Sequence, residues 1–234
     1  MKNLVIKTLT VSILSACFAC ADEPVNSEIL GYAFVISKLN ATSDTVFGVG
    51  INTMTNKDFS RVTVTSGDNS VYELQPYNGH TYNFYYETPD NEFIRFEPYF
   101  GKYYFKYTLT TGEQFSDSSD VVRAIVYPAD ITECAYNTES NNVQLKWNRI
   151  ENANFIVIFL LNGNGEVVYA SKSLAGTTVS ATIAASGTGW QFEVKPEAGA
   201  QYTVQVKAFR NKANSTVEIV QGESVVERKI TWGQ

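Results

Sequence analysis

Hydrophobic and polar positions alternate along much of this chain, in short stretches separated by turn-forming residues. Val143, Leu145 and Trp147 alternate with Gln144, Lys146 and Asn148, and Tyr202, Val204, Val206 and Ala208 alternate with Thr203, Gln205 and Lys207. A period of two is that of a strand with one buried face. Val46 to Asn52, Phe59 to Thr65, Val71 to Leu74, Tyr82 to Glu87 and a closing stretch near Ser224 to Trp232 read as strands too. They are rich in Val, Ile, Thr, Tyr and Phe, whose branched or flat side chains pack well on a pleated surface. No stretch keeps a helical apolar period for about twelve residues. Gly67-Asp68-Asn69 and Asn162-Gly163-Asn164-Gly165 supply residues that tolerate positive φ. They predict turns, the second leading into a strand over Glu166 to Ala170. Short strands at regular spacing predict an all-β sandwich or barrel.

The run Phe155-Ile156-Val157-Ile158-Phe159-Leu160-Leu161 is apolar on both faces. We take Phe155, Val157 and Phe159 as its core set. Ile156, Ile158 and Leu160 then face outward as a candidate interface, joined by Phe209 and Trp232. An exposed apolar patch of this kind marks contact with something. The simplest cover is the first half of the same chain, or the segment Lys172 to Gly189, whose path the pattern does not set.

Three features of the second half carry a family resemblance. They are Leu145-Lys146-Trp147 on one strand, Phe155-x-Val157-x-Phe159 on the next, and Pro196-x-x-Gly199-x-x-Tyr202 leading into Thr203 to Ala208. Together they resemble a fibronectin type III domain over residues 128–234. The resemblance implies that the Tyr202 hydroxyl returns to the backbone at a strand corner. Pro98-x-x-Gly101-x-x-Tyr104 repeats the spacing, although the best alternation there, Tyr103, Phe105, Tyr107 and Leu109, is one place out of phase. Residues 28–127 are therefore expected to form an immunoglobulin-like sandwich, with Pro128 stiffening the join. The expected fold class is all-β, two tandem immunoglobulin/fibronectin-III-like β-sandwiches.

The leading residues read differently. Lys2 and Lys7 precede a mostly apolar stretch from Leu4 to Ala16, about 13 residues long and interrupted by Thr and Ser. A membrane-spanning helix needs about 20 apolar residues, so residues 1–16 read as a secretory signal. Leu14-Ser15-Ala16-Cys17 closely resembles the bacterial lipobox, which implies cleavage before Cys17 and lipidation of its thiol. Cys20 is a rival acceptor with a poorer match before it. Ala21-Asp22-Glu23 resembles a surface-export signal of Bacteroidota lipoproteins. The implied placement is an outer-membrane lipid anchor on the periplasmic or cell-surface face, with residues 17–27 as a tether. Several acyl chains at about 0.8 kcal/mol per buried methylene hold a protein stably at a membrane.

Composition narrows the function. The net charge of −6 leaves a nucleic-acid role without its electrostatic basis. Of three cysteines, Cys134 alone lies in the expected fold, so no disulfide framework is expected and Cys134 reads as a buried free thiol. One histidine, His80, and no cysteine pair at zinc spacing give no expected metal site. The Asp/Asn-rich turns miss the spacing of a regular calcium loop. There is no nucleophile elbow, no phosphate-cradling glycine loop, and hence no expected catalytic residue or cofactor.

The unusual feature is aromatic density: residues 28–127 hold 20 of the 31 Phe, Tyr and Trp side chains, enough to supply both a core and a surface. Tyr85 and Tyr104 sit opposite the apolar phase of their strands, and Tyr99 and Phe100 fall at an expected turn. These four are candidate ligand-binding rings, because flat rings flanked by polar groups suit sugar C–H faces and tyrosine is a favoured interface residue. The competing reading is a core filled by aromatics, with outward tyrosines paired across strands. The expectation is a non-enzymatic binding or spacer lipoprotein for a glycan or an envelope protein. The alternatives are a structural or adhesive subunit of a surface assembly and, less favoured, a glycan-acting enzyme.

Overall fold

The computed structural model describes residues 29–77, 79–191, 194–215 and 219–234. The expected signal, Cys17, Cys20 and the tether lie outside the described residues. Beyond one 3-10 turn at Asp90–Glu92, the regular structure of the described residues is strand.

The first sandwich is built from β1 (Ile29–Leu39), β2 (Thr45–Thr55), β3 (Phe59–Ser66), β4 (Val71–Tyr77), β5 (His80–Glu87), β6 (Gly101–Leu109) and β7 (Gln114–Val121). Their order is β1-β2-β5-β4 followed by β3-β6-β7, the strand order of an immunoglobulin constant-type sandwich. β4 hydrogen-bonds to both β5 and β3, so the two sheets are joined along that edge. The core between them is largely aromatic: Phe59, Phe84, Tyr103, Phe105 and Tyr107 are buried, and Phe59 stacks on Tyr107 at 5.3 Å.

The second sandwich sets β13 (Ser180–Ala184), β9 (Asn142–Trp147) and β8 (Ile131–Asn137) against β11 (Val167–Ala170), β10 (Phe155–Leu161), β14 (Gln201–Asn211) and β15 (Val220–Thr231). The segment of unset path crosses between the sheets. It pairs β12 (Leu174–Ala175) with β10, then β13 with β9. The core holds Val143, Leu145, Trp147, Val204, Val206 and Trp232.

Two phases in this second sandwich correct the sequence reading. Ile156, Ile158 and Leu160 are fully buried in its core, while Phe155, Val157 and Phe159 face out. The reason is register: Ile156, Ile158 and Leu160 lie directly opposite Ala208, Val206 and Val204 on β14, and opposed residues share a face. The β10 run, apolar on both sides, carries no phase of its own. Trp232 also lies in the core, at 2% exposure. Phe209 does face outward, stacked on Phe155 at 4.8 Å.

Tyr202 takes the corner role that the resemblance implied: its hydroxyl accepts a hydrogen bond from the Glu197 N–H at 3.1 Å. In the first sandwich the same role falls to Tyr103, which donates to the Tyr99 carbonyl at 3.1 Å. The out-of-phase alternation, rather than the Pro-x-x-Gly-x-x-Tyr spacing, marked the right tyrosine.

The sandwiches are hydrogen-bonded to each other. β1 pairs with β2 along its whole length on one side. On the other side it pairs in parallel with β15, Val35 to Lys38 against Gly222 to Val225. Tyr32, Phe34, Ile36 and Val225 form a small apolar cluster at this joint, with Tyr85, Phe93 and Val220 packed on it. Fully burying such a side chain contributes about 1.5–3 kcal/mol. The Ser37 hydroxyl donates to the Val126 carbonyl, fastening the connecting segment to β1.

Candidate functional site

The joint makes a cleft. β1, β2 and β5 of the first sandwich and β10, β14 and β15 of the second turn their outer faces toward each other. The space between them is about 430 Å³, within the range of small-molecule sites. Strand alternation decides what enters it. On β5, Phe84 points into the first core, so Tyr85 points into the cleft. On β14, Val206 and Ala208 point into the second core, so Gln205, Lys207 and Phe209 point into the cleft. The corrected phase of β10 adds Phe159.

Charged groups are concentrated at the floor. Lys207 and Glu223 form an ion pair at 2.8 Å, their side chains 18% and 4% exposed. Burial works against the Lys207 charge, but Glu223, Glu87 and Glu227 outweigh it and hold its pKa above the ordinary lysine value. Burial raises the Glu223 carboxyl above its ordinary value, with Lys207 opposing. The Tyr85 hydroxyl donates to Glu87 Oε2 at 2.8 Å. Burial first, and then the Glu87 carboxylate, push its pKa well above the usual tyrosine value, so it stays a donor.

Neutral acceptors line the walls. The Asn52 and Asn83 side-chain carbonyl oxygens are buried without a hydrogen-bond partner. Asn52 Nδ2 donates to the Tyr32 hydroxyl at 3.1 Å. Such buried acceptors are uncommon because each lost hydration without a replacement. A wider groove of about 1000 Å³ adjoins the cleft, sharing Tyr77 and Val167 with it, and carries His80 and the Asn162–Gly165 turn.

The four aromatic candidates are not brought together. Tyr85 lies in the cleft on the outer face of β5, half-buried. Tyr104, 53% exposed, lies on the outer face of β6, on the opposite side of the sandwich. The Tyr99 ring lies over Gly67 and Gly101, where a Cβ would sit 2.3 and 2.6 Å from its hydroxyl. Phe100, expected to be exposed, is partly buried against the first core, because the turn folds back over the sandwich end. Lys207, Glu223, Glu87, Asn52, Asn83 and Phe159 escaped the sequence reading. Lys207 was visible as an outward position of an alternating strand, whereas Glu223 lies just ahead of the expected closing stretch, on a strand that carries several other charged residues.

Among the described residues no three His, Cys, Asp or Glu side chains gather closely enough to hold a metal ion. Cys134 is partly buried against the second core, and burial pushes its thiol up to about 11, which leaves it protonated and unreactive at neutral pH.

No protein-family model matches the chain, and no curated protein matches it. Several solved structures are similar in strand arrangement. A two-domain fibronectin type III segment from chicken tenascin is 11% identical, covers 78% of this chain and 91% of its own, and superposes with a TM-score of 0.30. A cytokine receptor complex is 10% identical, with coverages of 87% and 97% and a TM-score of 0.32. A tetra-tandem repeat from the extending region of a large adhesion protein is 12% identical, with coverages of 86% and 49% and a TM-score of 0.24. Overlaps of this size carry no argument about function, and the fold class rests on strand order and the two cores.

Proposed function

We propose that this chain is a membrane-anchored, non-enzymatic binding protein whose joined sandwiches hold a recognition cleft away from the envelope surface. The observation that carries this reading is the parallel pairing of β1 with β15. It ties the strand nearest the expected anchor to both sandwiches and fixes the walls of the cleft between them. The lipobox-like Leu14-Ser15-Ala16-Cys17 supports the anchor, and the acidic residues after Cys20 support display at the cell surface.

Metabolic labelling with an alkyne-tagged palmitate, followed by membrane fractionation, tests the placement. The wild-type chain and Cys20→Ala incorporate label and sediment with membranes, and Cys17→Ala does neither. Label retained by Cys17→Ala and lost from Cys20→Ala would move the anchor to Cys20. A wild-type chain that takes no label would end the anchoring proposal.

An adhesive or structural role in a larger surface assembly is the second reading. It is favoured by Ile94 and Phe96, 54% and 78% exposed on the loop before β6, beside the partly exposed Tyr99. Crosslinking in membranes then traps a partner through this loop, and recovery of an uncrosslinked monomer argues against it.

A further inference from the structure

We infer that the cleft between the sandwiches is a binding site for a neutral, polyhydroxylated ring, that is, a saccharide unit of an oligosaccharide. The inference rests on the binding reading above and names both the place and the ligand class. Flat rings stand on both walls: Tyr85 and Tyr77, 6.0 Å apart, on one side, and Phe159 and Phe209 on the other. A pyranose presents axial C–H bonds on its faces, which pack on such rings, and hydroxyls around its rim.

The polar groups choose among ligands that like aromatic walls. Lys207 is already paired with Glu223, and Glu87 stands beside them, so the floor carries a net negative charge and disfavours anions. The buried acceptors of the cleft that lack a hydrogen-bond partner are the neutral amide oxygens of Asn52 and Asn83 and, within the ion pair with Lys207, Glu223 Oε1; the two amides call for neutral donors. Sugar hydroxyls are neutral donors, and two of them would satisfy these amide oxygens, once the wall amides turn toward the cleft, without disturbing the ion pair. An ammonium or guanidinium group would find Glu87 engaged by Tyr85 and Glu223 by Lys207. The adjoining groove that shares Tyr77 and Val167 gives room for the next sugar units of a chain.

The test uses the full chain on an array of neutral, acidic and amino oligosaccharides, with titration calorimetry on the strongest neutral hit. A neutral oligosaccharide binds, and Tyr85→Ala and Phe159→Leu each weaken it about tenfold or more, the scale of one lost stacking contact with its hydrogen bonds. Tyr85→Phe keeps the ring and retains binding within a few-fold. Tyr104→Ala, on the far face, leaves affinity unchanged. Urea unfolding midpoints of the variants separate lost binding from lost folding. Three results would overturn the inference: no neutral oligosaccharide binding, binding that Tyr104→Ala abolishes while Phe159→Leu does not, or capture of amines or basic peptides in place of neutral sugars. The palmitate experiment bears on placement alone, so a failed cleft and a failed anchor are distinguishable.

Discussion

Lys207 and Glu223 hold opposite charges on the largely buried floor of the cleft. Taking two charges out of water costs several kcal/mol per ion after relaxation, and their attraction offsets this only while both are present. Lys207→Ala leaves Glu223 alone in the joint and is expected to destabilise the protein by about 3–5 kcal/mol, read as a lowered urea midpoint. Lys207→Met combined with Glu223→Leu restores most of that loss, since an apolar pair of similar volume removes the desolvation cost. Equal destabilisation by the single and double variants would show that the charges are not the operative feature. Half of this pair was legible in the sequence: Lys207 stands out as a polar position between Val206 and Ala208. Its partner was not, because Glu223 lies on a separate strand and meets Lys207 only through the register that sets Phe209 opposite Glu223.

Among the elements, β1 and β15 depend on one small residue. A Cβ at Gly222 would lie 2.1 Å from the Ala124 carbonyl oxygen, a backbone atom that cannot swing aside. Gly222→Ala therefore forces the connecting segment off the joint. It is expected to cost about 1–3 kcal/mol, the usual penalty for overpacking, and to speed amide exchange at Val35 to Lys38 ahead of the two cores. Unchanged exchange at those amides would remove Gly222 from this role. Strands β3, β5 and β9 were readable because one face of each is largely apolar and the other polar. β10 was misread because both its faces are apolar, and only its neighbour β14 sets which face is core. The β1–β15 pairing left no local mark, since parallel strands distant in sequence share no turn to announce them.

For the whole molecule, fold class was legible from period and turn chemistry, whereas the fusion of two sandwiches through one strand was not. That fusion has a thermodynamic signature. Sandwiches joined by a bare linker unfold independently, but here loss of the second removes β15 from β1 and uncovers Phe34 and Ile36. Calorimetry is expected to give one transition whose calorimetric and van't Hoff enthalpies agree. Two resolved transitions would mean that the joint contributes little. The same strand has a mechanical meaning. A tug on the leading end of the chain enters β1 first, along its axis. Over Val35 to Lys38 that strand is flanked by hydrogen-bonded neighbours on both sides, one from each sandwich. The load is met in shear by two ladders together rather than unzipped one bond at a time, so the element that joins the two halves is also the one placed to resist being pulled out.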